Sequence, residues 1–132
     1  MDILAEYIPG KDNFVILRVK GELDSNTVTE FDKEVETTLN EGATDLLLDM
    51  SDLEFMSSAG VRSLNTLYYQ LHPTGSAEEK KAISLGIRAG TYEAPHLKLL
   101  DPTERVIHVL RMSGLDMYLG VYDDESKAIA AF

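Results

Sequence analysis

The sequence has no cysteine, few basic residues and no long apolar run, and each of these absences excludes a class of protein. Without cysteine there is no disulfide, no thiolate metal ligand and no thiol nucleophile. The 12 basic residues stand against 23 acidic ones, and the net charge of -11 disfavours binding to a phosphate backbone. No apolar run approaches the ~18 residues of a membrane-spanning helix, and residues 1–6 lack the basic region of a secretory signal. We therefore expect a cytoplasmic protein that binds neither nucleic acid nor membrane.

The remaining composition is that of a folded domain. The chain has 132 residues, of which 44% are hydrophobic. A chain of this length and apolar content can bury one core of its own. No repeat, linker or low-complexity tract divides the sequence. We therefore expect one domain that spans residues 1–132.

Alternating apolar residues and short continuous apolar runs together predict five strands. Residues 14–20 alternate and are rich in branched side chains, which is typical of a strand. Residues 3–8 give a weaker strand before the Pro9-Gly10 turn, so a hairpin is expected at the start of the domain. Residues 45–50 form a short apolar run that is typical of a buried strand in a parallel sheet. Two more strands are predicted over residues 97–100 and 118–122.

Apolar residues at helical spacing predict helices between these strands. The predicted helices cover residues 28–39, 61–71, 76–89 and 102–114, and a last short helix begins at residues 123–125. Thr27 with Glu30 and Ser76 with Glu79 match the capping box, and Pro102 suits the first turn of a helix. The order of elements predicts an α/β fold with a mixed, mostly parallel β-sheet, an antiparallel N-terminal edge strand and four to five helices.

The most informative stretch follows the strand that ends at Asp49. After an acidic loop, Phe55 and Met56 are expected to return to the core, and small residues from Ser57 onward start a helix. A phosphate at a helix start would meet unpaired N–H groups and the positive end of the dipole, which is worth ~0.3–1 kcal/mol when exposed and up to ~2 kcal/mol when partly buried. Ser57 and Ser58 are therefore candidate phosphorylation sites. The alternative is a serine that serves only as an N-cap, which stabilises a helix by ~1 kcal/mol.

This stretch resembles the STAS domain superfamily, and most closely its bacterial anti-sigma factor antagonists. The family pattern is a strand ending in Asp, a short loop, an apolar pair and then Asp-Ser-Ser/Ala-Gly-Leu/Val at a helix start. In this sequence it corresponds to Asp49 and residues 55–61. Further matches follow in the family's order at residues 21–24, 97–102, 112–115 and 124–128. Residues 72–96 are longer than the usual link in the family, so we expect an inserted segment there, within a STAS domain of residues 1–132.

The resemblance implies a phosphorylation switch. In the family, an anti-sigma factor with serine kinase activity phosphorylates one serine of the antagonist. The unphosphorylated antagonist binds that anti-sigma factor and frees a sigma factor, and a PP2C-type phosphatase resets the switch. By position the acceptor is Ser58, with Ser57 as the alternative. The residues that the resemblance assigns to partner binding are Asp24, Ser57, Ser58, Ala59, Gly60 and Arg62.

One position departs from the family pattern. Ser57 stands where the family has Asp before the acceptor, which removes a carboxylate beside Ser58 and adds a second hydroxyl. Two functions therefore stay open. The first is an anti-sigma factor antagonist controlled by phosphorylation, and the second is a non-phosphorylated STAS scaffold subunit of a larger signalling complex. The sequence leaves the oligomeric state open.

Enzymatic and metal chemistry find no support in the sequence. The nucleophile elbow of a serine hydrolase needs glycine two residues before the serine, and an apolar residue holds that position before both candidate serines. The sequence has no P-loop, no Gly-x-Gly-x-x-Gly and no His-x-x-x-His pair. We therefore expect no catalytic residue, no cofactor and no metal. The histidines are expected at scattered surface or helix-face positions, which are His72, His96 and His108.

Overall fold

A single sheet organises the molecule. The structure, a computed structural model, describes residues 1–73 and 75–132, and in this range six strands belong to the sheet. They are β1 (Asp2–Tyr7), β2 (Phe14–Leu23), β3 (Asp45–Asp49), β4 (Leu53–Met56), β5 (Leu97–Leu100) and β6 (Gly120–Tyr122). The order is β1-β2-β3-β5-β6, and β4 pairs with the far end of β2. β1 runs antiparallel to β2 and the other pairings among these strands are parallel, which confirms the predicted α/β fold with its antiparallel edge strand.

Five α-helices lie in the described residues, in agreement with the predicted number. They are α1 (Val28–Asn40), α2 (Ser58–Leu71), α3 (Ala77–Ala89), α4 (Glu104–Ser113) and α5 (Glu125–Ala130), with a 3₁₀ turn at Leu115–Met117. The α3 helix lies inside the predicted inserted segment. Within the described residues, none of these helices is both long enough and apolar enough to cross a membrane.

The alternation of side chains along the strands divides the core into two parts. Leu46 and Leu48 of β3 belong to the larger part, which also contains side chains of α1, α2 and α4. Leu47 between them belongs to the smaller part, together with Phe14 of β2 and Ala128 of α5. Both faces of β3 are therefore covered, which explains why its sequence is one apolar run.

The β4 strand is the element that the sequence prediction missed. The stretch read as an acidic loop pairs in parallel with β2, with Leu53 opposite Gly21 and Met56 opposite Leu23. Met56 is buried as predicted. Phe55 was predicted to return to the core, and this is wrong, because its side chain is 37% exposed. Phe55 pairs with Glu22, which is also exposed, so it lies on the solvent side of the pairing.

The start of α1 also differs from its prediction. Thr27 is the N-cap residue, but its side chain makes no capping hydrogen bond, so the predicted capping box with Glu30 is wrong. The Thr27 hydroxyl instead donates to the carbonyl oxygen of Glu22 at 2.7 Å. The Asp24 carboxylate accepts a hydrogen bond from the Thr27 N–H at 3.2 Å and so holds the N-cap residue in the turn. The turn between β2 and α1 is therefore closed by its own side chains before the helix begins.

The caps of α3 and α4 show one confirmed and one wrong prediction. The Ser76 hydroxyl accepts from the N–H of Glu79 at 3.1 Å, which confirms the N-cap of α3. Pro102 was predicted in the first turn of α4, but the helix begins at Glu104 with Thr103 as its N-cap. Pro102 therefore precedes the helix and its fixed φ shapes the approach to the cap.

Removal of a central side chain should destabilise the domain strongly. Leu48 is fully buried in the middle of the sheet, so Leu48→Ala removes apolar contacts and leaves a cavity. We expect the free energy of unfolding, measured by guanidinium titration with circular dichroism, to fall by about 2–5 kcal/mol. Leu4→Ala on β1 is the control, because Leu4 is 62% exposed, and its loss should stay below about 0.5 kcal/mol. Equal losses for the two variants would contradict this description of the core.

Candidate functional site

The start of α2 is held against the end of the sheet by the pairing of β2 with β4. The last residue of β4 is Met56, and the next N–H, that of Ser57, donates to the carbonyl oxygen of Leu23 at 2.9 Å. Leu23 ends β2 and Asp24 follows it directly. This hydrogen bond therefore places the turn at Asp24 beside the start of α2, so two parts of the predicted binding surface lie next to each other.

Gly60 allows α2 to approach the sheet this closely. A β-carbon at Gly60 would lie 2.7 Å from Met56 Cγ, 2.9 Å from Leu23 Cγ and 3.0 Å from the Leu23 carbonyl oxygen. Contacts of this length require something to move, and one of the three atoms belongs to the backbone. Gly60 is itself buried. Its contribution to the predicted binding surface is therefore the close packing of the helix rather than direct contact with a partner.

The two adjacent serines occupy different environments. Ser57 is the N-cap of α2, is half-buried, and its hydroxyl accepts from the Ala59 N–H at 3.2 Å. The Ser57 carbonyl accepts from the Val61 N–H at 3.1 Å, the first hydrogen bond of the helix. Ser58 is the first helical residue and is exposed. The N-cap alternative therefore describes Ser57, whereas the Ser58 hydroxyl is presented to solvent.

The first turn of α2 also has the electrostatic character of an anion site. The leading N–H groups of an α-helix have no intrahelical acceptor, and the helix dipole places partial positive charge there. Arg62 is exposed and follows Ser58 by four residues, so the two side chains lie on the same face of the helix. A phosphate on Ser58 would therefore meet a cation one turn away.

Asp24 is ordered by its own turn. Its carboxylate accepts from the N–H groups of Asn26 at 2.9 Å and of Thr27 at 3.2 Å. Its backbone N–H donates to the Thr27 hydroxyl at 3.0 Å. These bonds fix a half-buried carboxylate beside the start of α2, so Asp24 supplies negative charge from a fixed position.

A groove between α1 and α2 continues this surface. It has a volume of about 260 Å³ and is lined by Val28, Asp32, Ala59, Arg62, Ser63 and Thr66. The Ser63 hydroxyl donates to Asp32 Oδ1 at 2.7 Å across the groove and joins the two helices. Sequence reasoning placed Ala59 and Arg62 at the site but missed the side chains of α1. The polar side of the α1 pattern contains Asp32, but only the packing of the helices shows that it faces α2.

The family assignment follows from a comparison of the sequence with known domain families. The STAS domain model matches residues 7–77, which is more than half of the chain. The chain belongs to the STAS domain family. The matched range contains β2, β4, the turn at Asp24 and the whole of α2, so it includes each residue of the candidate site. No curated protein matches the sequence.

Solved structures of anti-sigma factor antagonists are similar to this STAS domain. One from Mycobacterium paratuberculosis has a TM-score of 0.73 at 18% identity, over 98% of this chain and 92% of the other. SpoIIAA in its unphosphorylated form has a TM-score of 0.64 at 25% identity, over 97% and 93%. The phosphorylated form of SpoIIAA, a Bacillus cell fate determinant, has a TM-score of 0.59 at 23% identity, over 98% and 97%. The shared fold thus extends over almost the whole chain.

Two histidines of this STAS domain lie together, far from the candidate site. His72 and His96 were expected at scattered positions, but their ring centroids are 5.1 Å apart. His72 is the C-cap of α2, at the opposite end from Ser58. At 1.5 Å per residue the two ends are roughly 20 Å apart. Neither His72 nor its neighbour His96 can therefore act as the base for the Ser58 hydroxyl.

Asp49, which ends β3 and belongs to the family pattern, has a structural role. Its carboxylate accepts from Arg18 at 2.8 Å and from the N–H and hydroxyl of Ser51 at 3.0 and 2.8 Å. Burial would raise the pKa of Asp49, but the bonds from Ser51 and Arg18 outweigh it and hold the pKa below its usual value. Arg18 also pairs with Glu6 and Glu125, so this network joins β1, β2, β3 and α5.

Addition of a methyl group at Gly60 should destabilise the domain. We expect Gly60→Ala to lower the free energy of unfolding by about 1–3 kcal/mol, because its β-carbon would overlap Met56 and Leu23. The measurement is denaturant unfolding followed by circular dichroism. Ser58→Ala in the same helical turn is the control, since that side chain is exposed, and its change should stay within about 0.5 kcal/mol. A Gly60→Ala protein as stable as the wild type would show that α2 is not tightly packed at this point.

Proposed function

We propose that this STAS domain is an anti-sigma factor antagonist with no catalytic activity of its own. It binds an anti-sigma factor through the start of α2 and thereby releases a sigma factor. The observation that carries this proposal is the exposed hydroxyl of Ser58 at the first position of α2, in a STAS domain similar in structure to SpoIIAA. Because sigma factors act on RNA polymerase inside the cell, the proposal implies a cytoplasmic protein.

The proposed control is phosphorylation of Ser58. The partner is an anti-sigma factor with serine kinase activity, which transfers the γ-phosphoryl group of ATP to the Ser58 oxygen, and a PP2C-type phosphatase removes it. The likeness to SpoIIAA supports this, since that protein has both an unphosphorylated and a phosphorylated form. A phosphate would add about -1.5 to -2 charges at the proposed interface. It would therefore weaken binding by its bulk, its charge and its hydration, without refolding the domain.

Ser58 is a better acceptor than Ser57 on structural grounds. The Ser57 hydroxyl already accepts a hydrogen bond as the helix cap and is half-buried, whereas Ser58 is exposed. The same geometry gives a reason for the departure from the family pattern. A serine at position 57 caps α2 as an aspartate would, and it leaves no carboxylate beside the phosphate on Ser58.

The proposed contact surface combines the start of α2 with the neighbouring turn and groove. It consists of Asp24, Ser57, Ser58, Ala59, Gly60 and Arg62, with Gly60 acting through packing. The exposed Phe55 lies one residue before the end of β4 and extends this surface with an aromatic side chain. Aromatic side chains and arginine often contribute most to binding at protein interfaces. We assign this surface to one STAS domain of residues 1–132, in which residues 72–96 are an insertion.

A second candidate function is a STAS scaffold that is not phosphorylated. The observation in its favour is Ser57, which stands where the family pattern has Asp. A scaffold subunit would assemble into a stable large homo-oligomer, whereas a regulated antagonist need not. Light scattering of the purified protein distinguishes the two, because a stable large assembly favours the scaffold.

Phosphorylation with the partner kinase tests the antagonist proposal. The protein is incubated with ATP and a kinase-type anti-sigma factor encoded near its own gene, and intact mass is measured. We expect a gain of one phosphate for the wild type and for Ser57→Ala, although Ser57→Ala loses about 1 kcal/mol of stability through its cap. We expect no gain for Ser58→Ala. Ser126→Ala is the matched control, because Ser126 is an exposed serine on α5, and it should be phosphorylated as the wild type is.

Binding to the same partner gives the second part of the test. Ser58→Glu should weaken the affinity at least about tenfold, since it places a negative charge at the interface. The affinity of Ser126→Glu should equal that of the wild type. Transfer of phosphate to Ser58→Ala, or equal affinity of Ser58→Glu and the wild type, would refute the proposed switch.

A further inference from the structure

His72 and His96 join the two ends of the inserted segment. His72 follows α2, and His96 precedes β5. The backbone N–H of His96 donates to His72 Nε2 at 3.0 Å, and His72 Nδ1 lies 2.7 Å from the carbonyl oxygen of Tyr68. We call this pair the histidine clasp. It closes the base of the segment that carries α3.

The clasp requires one protonation state of His72. A backbone N–H can only donate, so His72 Nε2 must accept and cannot carry a proton. The proton of the neutral ring is therefore on Nδ1, where it is donated to the Tyr68 carbonyl. A second proton at Nε2 would face the His96 N–H with another donor. The protonated ring is thus incompatible with the closed clasp.

The groups around His72 oppose its protonation. Burial of the ring is the largest cause and lowers the pKa of His72, and His96 and Lys98 lower it further. The hydrogen bond to the Tyr68 carbonyl and the charge of Asp45 act in the opposite direction and raise it. The net effect is a pKa below the usual value. The ring of Tyr68 stacks on that of His72 at 4.5 Å, and His96 Nδ1 contacts Asp45 Oδ1 at 2.6 Å. Asp45 and Lys98 are thus the charged groups of β3 and β5 that act on His72.

The α3 helix depends on few other contacts. No residue of α3 is buried, and Leu85 is 53% exposed. Its inner side, with Ile83 and Ile87, borders a groove of about 480 Å³ that is lined on the body side by Asn65, Tyr68, Tyr69 and Tyr118. Beyond α3, the hydroxyls of Tyr92 and Tyr68 are 2.7 Å apart, so this contact also adjoins the clasp.

Glu93 and Ala94, which follow the α3 segment, are held by contacts that do not involve the clasp. The Glu93 carboxylate bonds to Lys98 and to the Tyr122 hydroxyl. The Ala94 N–H donates to the Tyr118 carbonyl at 2.8 Å, and Ala94 is fully buried. Residues 93–98 therefore stay in place when the clasp opens, so any movement is confined to α3 and its links.

We propose that protonation of His72 opens the histidine clasp and releases α3 from the body of the domain. This release uncovers the surface beneath α3 that Tyr68, Tyr69 and Tyr118 line. The driving force is the loss of the His72 acceptor and the new positive charge beside Lys98. The clasp is at the opposite end of α2 from Ser58, so this inference does not depend on the proposed function.

The sign of the pH dependence follows from the lowered pKa of His72. The stability that the neutral ring gives to the closed clasp is fully present above about pH 6.5, the ordinary histidine value. It is lost as the pH falls below 6.5 towards the pKa of the closed state. In the open state the ring is about nine-tenths protonated at pH 5.5. Opening should therefore become more favourable between pH 7.5 and 5.5, by up to about tenfold.

Hydrogen exchange of the whole chain tests the proposal. Protection factors, which are corrected for the intrinsic pH dependence of exchange, are measured at pH 7.5 and 5.5. We expect the α3 amides to lose protection at pH 5.5, by up to about tenfold, while the β3 amides keep theirs. The imidazole nitrogen shifts of His72 at pH 7.5 should show a neutral ring protonated at Nδ1. A ring protonated at Nε2, or unchanged protection of α3, would overturn the proposal.

Two variants separate His72 from the other histidines. His72→Gln keeps a side-chain oxygen that can accept from the His96 N–H but does not titrate, so its α3 protection should be the same at both pH values. His108→Gln on the exposed surface of α4 should lose as much α3 protection at pH 5.5 as the wild type does. The same loss in His72→Gln would overturn the proposal. If His72→Gln folds poorly, the comparison of α3 with β3 in the wild type and in His108→Gln still decides the question.

Discussion

The hydrogen bond from the Ser57 N–H to the Leu23 carbonyl determines how the candidate site is built. It continues the pairing of β4 with β2 by one residue and so brings the first turn of α2 to the end of β2. The approach is possible only because position 60 has no side chain. With the helix in this place, the Ser57 hydroxyl turns to its own helix as a cap, and Ser58 is left outward. One backbone contact thus separates two adjacent hydroxyls into a structural and an accessible one.

A rigid site of this kind favours control by charge rather than by folding. Leu64 and Leu67 anchor α2 in the core behind the exposed first turn. The N–H groups of that turn that Ser57 does not cap, and Arg62 one turn later, can accommodate a phosphate locally at a gain of a few tenths to about 1 kcal/mol. The phosphorylated domain would therefore remain folded. The phosphate would instead lower the affinity of a partner that must desolvate the same surface. This is the physical basis on which the proposed switch would act in a small folded domain.

Sequence patterns predicted most parts of the structure that are local in the chain, although the capping box at Thr27 and the place of Pro102 in α4 were wrong. The apolar run of β3, the N-cap at Ser76 and the α/β order depend on neighbouring residues, and the structure confirms them. The β4 strand was missed because four residues that include Glu54 give neither an alternating nor a continuous apolar signal. The small residues predicted a helix start at this point, and α2 begins at Ser58; the choice of Ser58 as phosphate acceptor came from the family resemblance and stays a prediction. The Asp32–Ser63 contact and the pairing of His72 with His96 join residues 31 and 24 positions apart, and only tertiary packing creates them.

The α2 helix has the candidate switch at one end and the histidine clasp at the other, and its packing decides whether the two are coupled. Energetic coupling between distant sites requires an element with two arrangements that both sites influence. Between the two ends, α2 is fixed by Gly60 against the sheet, by Leu64 and Leu67 in the core, and by Ser63 to α1. Movement of this helix towards the sheet is limited at Gly60, where a single added β-carbon would already lie 3.0 Å from the Leu23 carbonyl oxygen. The proposed release of α3 would therefore be local and would leave Ser58 in place, so the two ends of α2 would act as independent sites.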